Sequence, residues 1–422
     1  MKVSRFRMDA TCLDSLCPSR EAGLAKLSEF LPRAAHHYGS YRNFDEGPRQ
    51  RQHVSELSPW ISRRIITEAE VIGGVLALHG ETESACHPFL REVLWRGYWR
   101  SYLEHRPSIW TSYRQMLVEN PPFKDPAYQQ ATQAQSGIDV FNHWAKELKS
   151  EGYLHNHARL WLSSLWIHTL KLPWQWGAAW FLEHLRDGDP ASNTLSWRWV
   201  AGLHTKGKAY GATADNIAKF TNQRLNPILP AVSVSAVAEN LDHPLIDPQL
   251  APPLSASSIE ANDGLLLLGD DLSIETLKEV SFRPIKAIAF VPAEKIGTFF
   301  AWQDKVRHFH NQALEDAVYR AKKIWPMADC QVLPADDAGS AQLFLRWNSE
   351  GIKRILVPTP HQGPYRELWE SLVPSLSQFQ IVAFNRRYDL ELLPLGKKGF
   401  FDFWQRRPPW KNLCQEEISH QG

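Results

Sequence analysis

The sequence predicts a multi-domain chain, all-helical in its first half and α/β with a parallel sheet in its second. Two observations carry this expectation. From about residue 12 to 226 apolar side chains recur at helical spacing, as in Leu24–Leu27–Phe30–Leu31 and Leu154–Ala158–Trp161–Leu162–Leu165, with almost no strand-like alternation. After residue 262 short apolar runs (Leu265–Leu268, Ala287–Val291, Ile355–Val357, Gln380–Phe384) alternate with amphipathic stretches such as Lys305–Lys323 and Ser340–Ser349. Such alternation suits parallel strands joined by crossover helices, a Rossmann-like arrangement.

Within the helical half, Ser58-Pro59 opens a helix with proline in its first turn, and Ser136-Gly137 precedes another. The intervening run 227–262 is rich in Pro, Ser and Ala, which is linker composition. The expected division is therefore 1–226, a linker at 227–262, and 263–422. In the last part GLLLLGDDLS reads as a strand and an acidic turn, without GxGxxG or GxxxxGK[ST]. Nucleotide binding there has no motif behind it.

Composition narrows the function classes. The 422 residues are 43% hydrophobic and 22% charged, which suits a folded core and argues against disorder. No apolar run is long enough to span a membrane, and the N-terminus lacks a secretory h-region, so a cytoplasmic protein is expected. The five cysteines are scattered, without CxxC or zinc spacing, and read as reduced thiols. Net charge is +1, but residues 1–226 carry 27 Lys/Arg against 22 Asp/Glu, and the remainder 20 against 24. That asymmetry favours an anionic ligand on the first half. Eighteen tryptophans are over three times the usual share of about 1.3%. They suit a helical core built from large side chains, or a site for a flat aromatic ligand with electron hopping between indoles.

The densest polar cluster is His155-Asn156-His157-Ala158-Arg159, followed by Asp187-Gly188-Asp189 and Asn193, then Trp197-Arg198-Trp199. The i, i+2 spacing sets the two histidines on different helix faces, which argues against a shared metal. Asp187 and Asp189 can equally cap helices or pair with Arg159.

The runs SGIDVFNHWAKELKSEGYLHNHARL and WQWGAAWFLEHLRDGDPASNTLSWRW resemble the flavin-binding domain of the photolyase/cryptochrome family. HVSELSPW (53–60) is similar to that family's TSxLSPY turn, and REVLWRGYWR (91–100) to its ELxWREFYR helix. Tyr38 and Arg42 keep the family's spacing ahead of the turn. The resemblance covers about residues 20–226, in family order.

It implies FAD as cofactor. By position, Tyr38, Ser55, Leu57 and Ser58 match elements holding the pyrophosphate and ribityl chain. Arg159 and Asp187 match the ion pair beside the isoalloxazine. Asp189 matches an acceptor for the flavin imide, and Asn193 the residue facing flavin N5. Trp197 and Trp174 match the first two indoles of the photoreduction chain. Glu92, Trp95, Asn156 and Trp199 match the pocket for a flipped-out cyclobutane pyrimidine dimer, where indoles stack on bases and a carboxyl or amide reads their edges. The implied activity is light-driven repair of UV-damaged DNA, single- or double-stranded, by a monomer; the alternative is a cryptochrome-like blue-light photoreceptor. Arg63, Arg64, Arg198, Lys206 and Lys208 are candidate phosphate contacts.

Departures are equally legible. Val54 stands for the turn's threonine, Asn142 for an aspartate, His157 for an arginine, Leu160 for a pocket methionine and Gly97 for an acid. The position of the third indole of the chain falls near Pro121, so that chain is either broken or rerouted, and Trp176 or Trp144 could substitute. Asn156 and Leu160 stand where (6-4) photolyases carry histidines. Finally, GLLLLGDDLS resembles the first strand of the family's α/β domain, and Gly396–Trp404 (GKKGFFDFW) the tract that closes it. The α/β domain would thus follow rather than precede the flavin domain, a circular permutation. In the family that domain often holds an antenna pigment; no residue here identifies one.

Overall fold

The computed structural model describes residues 16–80, 84–205, 207–239, 242–297 and 300–414. Up to residue 226 the described residues form helices and no strand. Ser19 caps α1 (Arg20–Phe30) by accepting from the Ala22 N–H. After α2 (His36–Tyr41), Pro59 lies in the first turn of α3 (Ser58–Ser62), as Ser58-Pro59 predicts. Thr67 and Glu70 close a reciprocal capping box on α4 (Glu68–His79). The 18-residue α5 (His87–Glu104) is followed by α6 (Ser108–Glu119), α7 (Pro126–Thr132) and α8 (Asp139–Glu151). Gly152, at φ 63°, ends α8 in the left-handed conformation.

Three helices then build the interior: α9 (Asn156–Ser164), α10 (Trp174–His184) and α11 (Pro190–Val200). A π-helical turn, Leu165–Thr169, prolongs α9. α11 packs against α5, α9 and α10, which makes it the axis of this half. The tryptophan wealth is largely core, since Trp60, Trp144, Trp161, Trp166 and Trp180 are fully buried. The last helix of this half is α12 (Ala214–Phe220).

The second half carries a five-stranded sheet. Its strands are β1 (Gly264–Leu267), β2 (Ala287–Phe290), β3 (Asp329–Val332), β4 (Arg354–Pro358) and β5 (Gln380–Phe384). All pairs are parallel, in the order β3-β2-β1-β4-β5, with Leu266 opposite Ala289 and Leu265 opposite Leu356. Four strands coincide with the apolar runs of the sequence; β3 was not among them. α13 (Lys278–Ser281), α14 (Ala293–Ile296), α15 (Asp304–Ile324), α16 (Asp337–Ser349) and α17 (Pro364–Leu372) make the connections. The direction of winding reverses between β1 and β4, where sheets of this kind open a crevice at the strands' carboxyl ends.

Beyond the sheet, α18 (Arg387–Leu392), α19 (Phe400–Arg406) and α20 (Trp410–Leu413) return to the helical half. α18 and α19 lie on α5, and α20 lies on α4. The described part of 227–255 has neither helix nor strand but does not hang free. The Val237 N–H donates to Ala201 O, the Ile246 N–H to His105 O, and the Ala251 N–H to Asn385 Oδ1, each at 2.9 Å. It is a strap laid along both halves.

Candidate flavin site

The site grows from the turn before α3 and the loop between α10 and α11. Leu57 is fully buried and anchors the turn; Ser55 Oγ accepts from the Leu57 N–H at 3.4 Å. Ser58 Oγ reaches across the fold and donates to Asp187 Oδ2 at 2.5 Å. Arg159 Nη2 donates to the same oxygen at 2.7 Å, while its Nε holds Leu154 O at 2.9 Å. The Arg159 guanidinium also lies 5.1 Å over the Tyr153 ring. Both bonds therefore load one carboxylate oxygen. The other, Asp187 Oδ1, is buried with no hydrogen-bond partner. A buried carboxylate oxygen left unpaired costs free energy, which makes it an acceptor waiting for a donor.

Asp189 is placed differently. It caps α11 by accepting from the Ser192 N–H at 2.9 Å, and its other oxygen faces Arg96 Nε at 3.1 Å and Arg100 Nε at 3.5 Å. Burial works against its charge, but the two guanidiniums overcome this and hold the carboxyl down at about 2. Its charge is already balanced within the fold. Asn193 donates through Nδ2 to Ala178 O at 2.8 Å, which leaves Oδ1 as its acceptor. Tyr38 is buried edge-on to Phe30 and Phe89, with the Arg42 guanidinium 5.9 Å over its ring.

The four candidate lesion residues fall into three groups. Glu92 on α5 is ion-paired with Arg42, and Arg42 O accepts from His155 Nε2 at 3.1 Å, just before the exposed Asn156. Arg42 thus links Glu92 to His155, the residue that caps the helix Asn156 begins. Burial raises the Glu92 carboxyl, with Arg42 opposing. Trp95 stacks on Phe400 of α19, with centroids 3.7 Å apart and planes at 8°, so one ring face is covered by the chain itself. Trp99, which the sequence reading passed over, sits 4.9 Å from Trp95. Trp199 stacks on Tyr210 at 5.5 Å.

Of the electron-transfer candidates, Trp197 and Trp174 are both buried. A Cβ at Gly177 would lie 2.2 Å from the Trp197 indole, so glycine is what lets α10 approach α11 there. Trp174 stacks on Tyr113 at 5.6 Å and 18°.

Burial overturns three of the expected phosphate contacts. Arg63 lies over the rings of Trp302 and Phe309, Arg64 is bound by Asp389, Glu68 and Asp271, and Arg198 by Glu239. Each is about 5% exposed or less. Lys208 is exposed, and Lys206 lies outside the described residues. Arg96 and Arg100, at i, i+4 in WRGYWR, are the cations the sequence reading missed; their spacing on one helix face was the available signal. The paired histidines have separate employment. Burial lowers His155 to about 4, whereas His157 stacks on Trp161 at 5.2 Å and bonds Asn43 O at 2.7 Å.

Residues 89–224 match the family described as the FAD binding domain of DNA photolyase. This part of the chain is similar to the flavin-binding domain of the photolyase/cryptochrome family. A deoxyribodipyrimidine photo-lyase of a Synechococcus species is 28% identical over 191 residues, 44% of this chain and 39% of that protein. The Streptomyces griseus deoxyribodipyrimidine photo-lyase is 27% identical over 251 residues, 55% of this chain and 52% of the relative. A cryptochrome DASH of Idiomarina loihiensis is 28% identical over 155 residues, 35% of this chain and 34% of its own. Among solved structures, a bacterial class III photolyase from Agrobacterium tumefaciens superposes with a TM-score of 0.42 at 26% identity, over 48% of this chain and 43% of that one. The chain thus spans about half or less of the relatives it matches.

The donor set suits a flavin. Asp187 Oδ1 offers an unused buried acceptor, and Asn193 offers an amide oxygen from α11, the helix that follows the Asp187 loop. The Arg159 side chain, ion-paired with Asp187, keeps 23% exposure, whereas Asp187 keeps 2%.

Proposed function

We propose that the protein binds FAD between α3, α9 and α11 and uses it in light-driven repair of cyclobutane pyrimidine dimers in DNA. The observation that carries the reading is the half-used Asp187 carboxylate, fixed by Ser58 and Arg159 with Oδ1 unpaired. In this reading Arg159 and Asp187 orient the ring system, and Oδ1 accepts a ring or ribityl donor. Asn193 Oδ1 accepts from the ring edge. Asp189 acts through Arg96 and Arg100, which fix the start of α11 and so the place of Asn193. Reduced FAD, when bound, supplies on blue-light excitation the electron that opens the dimer and takes it back.

Glu92, Trp95, Asn156 and Trp199 are proposed to receive the flipped-out dimer, Glu92 and Asn156 reading base edges and the indoles stacking. The α/β half following the helical half is proposed to be the family's antenna-type domain in permuted order, with boundaries at 226 and 263. A monomer in the cytoplasm fits this reading; among the described residues no helix is long and apolar enough to cross a membrane.

One observation favours a second reading, a blue-light receptor without repair. Phe400 covers one face of Trp95, and Arg42 holds the Glu92 carboxylate, so two lesion residues are engaged internally. The test is dimer reversal by chemically reduced protein under blue light, read at 260 nm against a dark control. Reversal that disappears in Glu92→Ala is expected. Retained FAD without reversal would overturn repair and leave the receptor.

A further inference from the structure

The rings around Trp197 form a route to the surface that the family spacing does not contain. Trp197 meets Trp166 edge-on at 6.0 Å and 83°. Trp166 meets Tyr128 at 5.9 Å, and Tyr128 meets Trp176 at 5.9 Å. Trp197, Trp166 and Tyr128 are buried, while Trp176 is half-buried. The Trp176 indole N–H donates to Asn120 O at 2.8 Å. That places the ring beside Pro121, where the spacing of the sequence had put a missing exit indole. We propose that electrons reach the flavin pocket through Trp176, Tyr128, Trp166 and Trp197, in that order from the surface. The proposal rests on the flavin reading above.

Three features favour this branch over Trp174. First, electron transfer falls off steeply with the gap between rings, and here each ring touches the next, with Tyr128 bridging Trp166 and Trp176. Second, Trp166 is stacked on Trp180 at 5.7 Å and 18°, so a positive charge left on it is shared by two π-systems. Its N–H also donates to Pro173 O at 2.9 Å, and a carbonyl dipole stabilises a cationic indole. Third, the Arg198 guanidinium lies 5.6 Å from the Trp174 ring. A fixed cation beside an indole opposes its oxidation, because both charges are positive. Glu239, paired with Arg198, reduces that effect without removing the cation from the ring face.

With FAD bound and excited, Trp197 would supply it one electron per photon and be refilled from Trp166, and Trp166 from Trp176 across the Tyr128 ring. Trp176 ends one electron short. An external thiol refills it, losing one electron and releasing its proton to water.

The test uses the full-length, flavin-holding protein and the variants Trp166→Phe, Tyr128→Phe, Trp176→Phe and Trp174→Phe. Flavin content, read from the visible absorption band, and the thermal midpoint establish that each variant is folded and loaded. Time-resolved absorption and EPR follow the long-lived indole radical; peptide mass spectrometry after prolonged illumination without thiol locates oxidised tryptophan. Expected are at least a tenfold loss of radical yield in Trp176→Phe and Trp166→Phe, less than a twofold loss in Trp174→Phe, and oxidation at Trp176. Trp176 is half-buried, so its variant decides the matter even if Trp166→Phe folds poorly. Loss of the radical in Trp174→Phe, with Trp176→Phe behaving as wild type, would overturn the relay alone. A chain that holds no flavin would overturn the relay together with the reading beneath it.

Discussion

The helical half and the sheet each build a cluster of buried charge, and the two are finished differently. At Asp187 the fold spends one carboxylate oxygen on Ser58 and Arg159 and leaves the other without a donor. In the crevice at the carboxyl ends of β1, β4 and β5, Arg386 grips both oxygens of Asp271, and Arg64 grips both oxygens of Asp389. Arg64, Asp270, Asp271, His361, Arg386 and Asp389 line that crevice and leave room for about one water. Doubly wound sheets commonly bind ligands at this point. Here it is used as a joint, with Arg64 delivered from the helical half. An open valence marks a place for a ligand; a closed one marks a place for the chain.

The contrast can be broken from the joint side first. Arg64→Met leaves Asp389 and Glu68 buried with fewer cations, and should cost about 3–5 kcal/mol in chemical denaturation, as loss of one partner of a buried pair does. Protein that remains folded should still hold FAD. Simultaneous loss of flavin at unchanged stability would show that the two clusters are one site. From the other side, Asp187→Ala should weaken FAD retention roughly 10- to 150-fold, the equivalent of about 1.5–3 kcal/mol for hydrogen bonds to a charged group, while the far-ultraviolet circular dichroism stays native. Equal affinity in variant and wild type would remove Asp187 Oδ1 from the site.

A smaller effect is expected at Gly177→Ala, where the added Cβ would lie 2.2 Å from the Trp197 indole. Overpacking of this kind costs about 1–3 kcal/mol and should shift Trp197 fluorescence; an unchanged melting midpoint would mean that α10 and α11 separate freely. The smallest is a pH slope. His361 lies 3.6 Å from Glu104 and 3.7 Å from Asp389. Burial and Arg100 oppose its charge, yet Asp389 and Glu104 raise its pKa above 6.5. A cation favoured by folding stabilises fully below pH 6.5, and that contribution is lost as pH rises through the folded value. Asp270, raised by burial, acts in the same direction from pH 3.8 upwards. His361→Gln should therefore flatten the fall in stability above pH 6.5, and an unaltered slope would dismiss the histidine.

Much of this was legible in the residues, and the exceptions have physical reasons. β1, β2, β4 and β5 announced themselves as apolar runs. β3, reading Asp-Cys-Gln-Val, did not, because two of its four residues are polar, whereas β5, the other edge strand, keeps the apolar run Ile-Val-Ala-Phe. Asp187 and Asp189 were placed side by side by motif, yet one pairs with Arg159 and the other caps α11. The difference depends on Arg96 and Arg100, some 90 residues earlier. Arg64 and Arg198 looked like surface cations because the acids that bury them, Asp389 and Glu239, are distant in sequence. Local periodicity reports which face is apolar; it carries no information about which far carboxylate meets a guanidinium.

The strap between residues 227 and 255 has a consequence for how the polypeptide can be made. It is stitched down at Ala201, His105 and Asn385, and the halves also meet through Arg64, through Trp110 Nε1 donating to Glu367 at 2.7 Å, and through Ser101 Oγ donating to Leu393 O at 2.6 Å. Covalent continuity is then the least of what holds them together. Two fragments divided within the strap, synthesised as separate chains, should find each other and elute as one species on size exclusion. Fragments that stay apart at micromolar concentration would show that the strap's tether, and not the buried ion pairs, supplies the encounter.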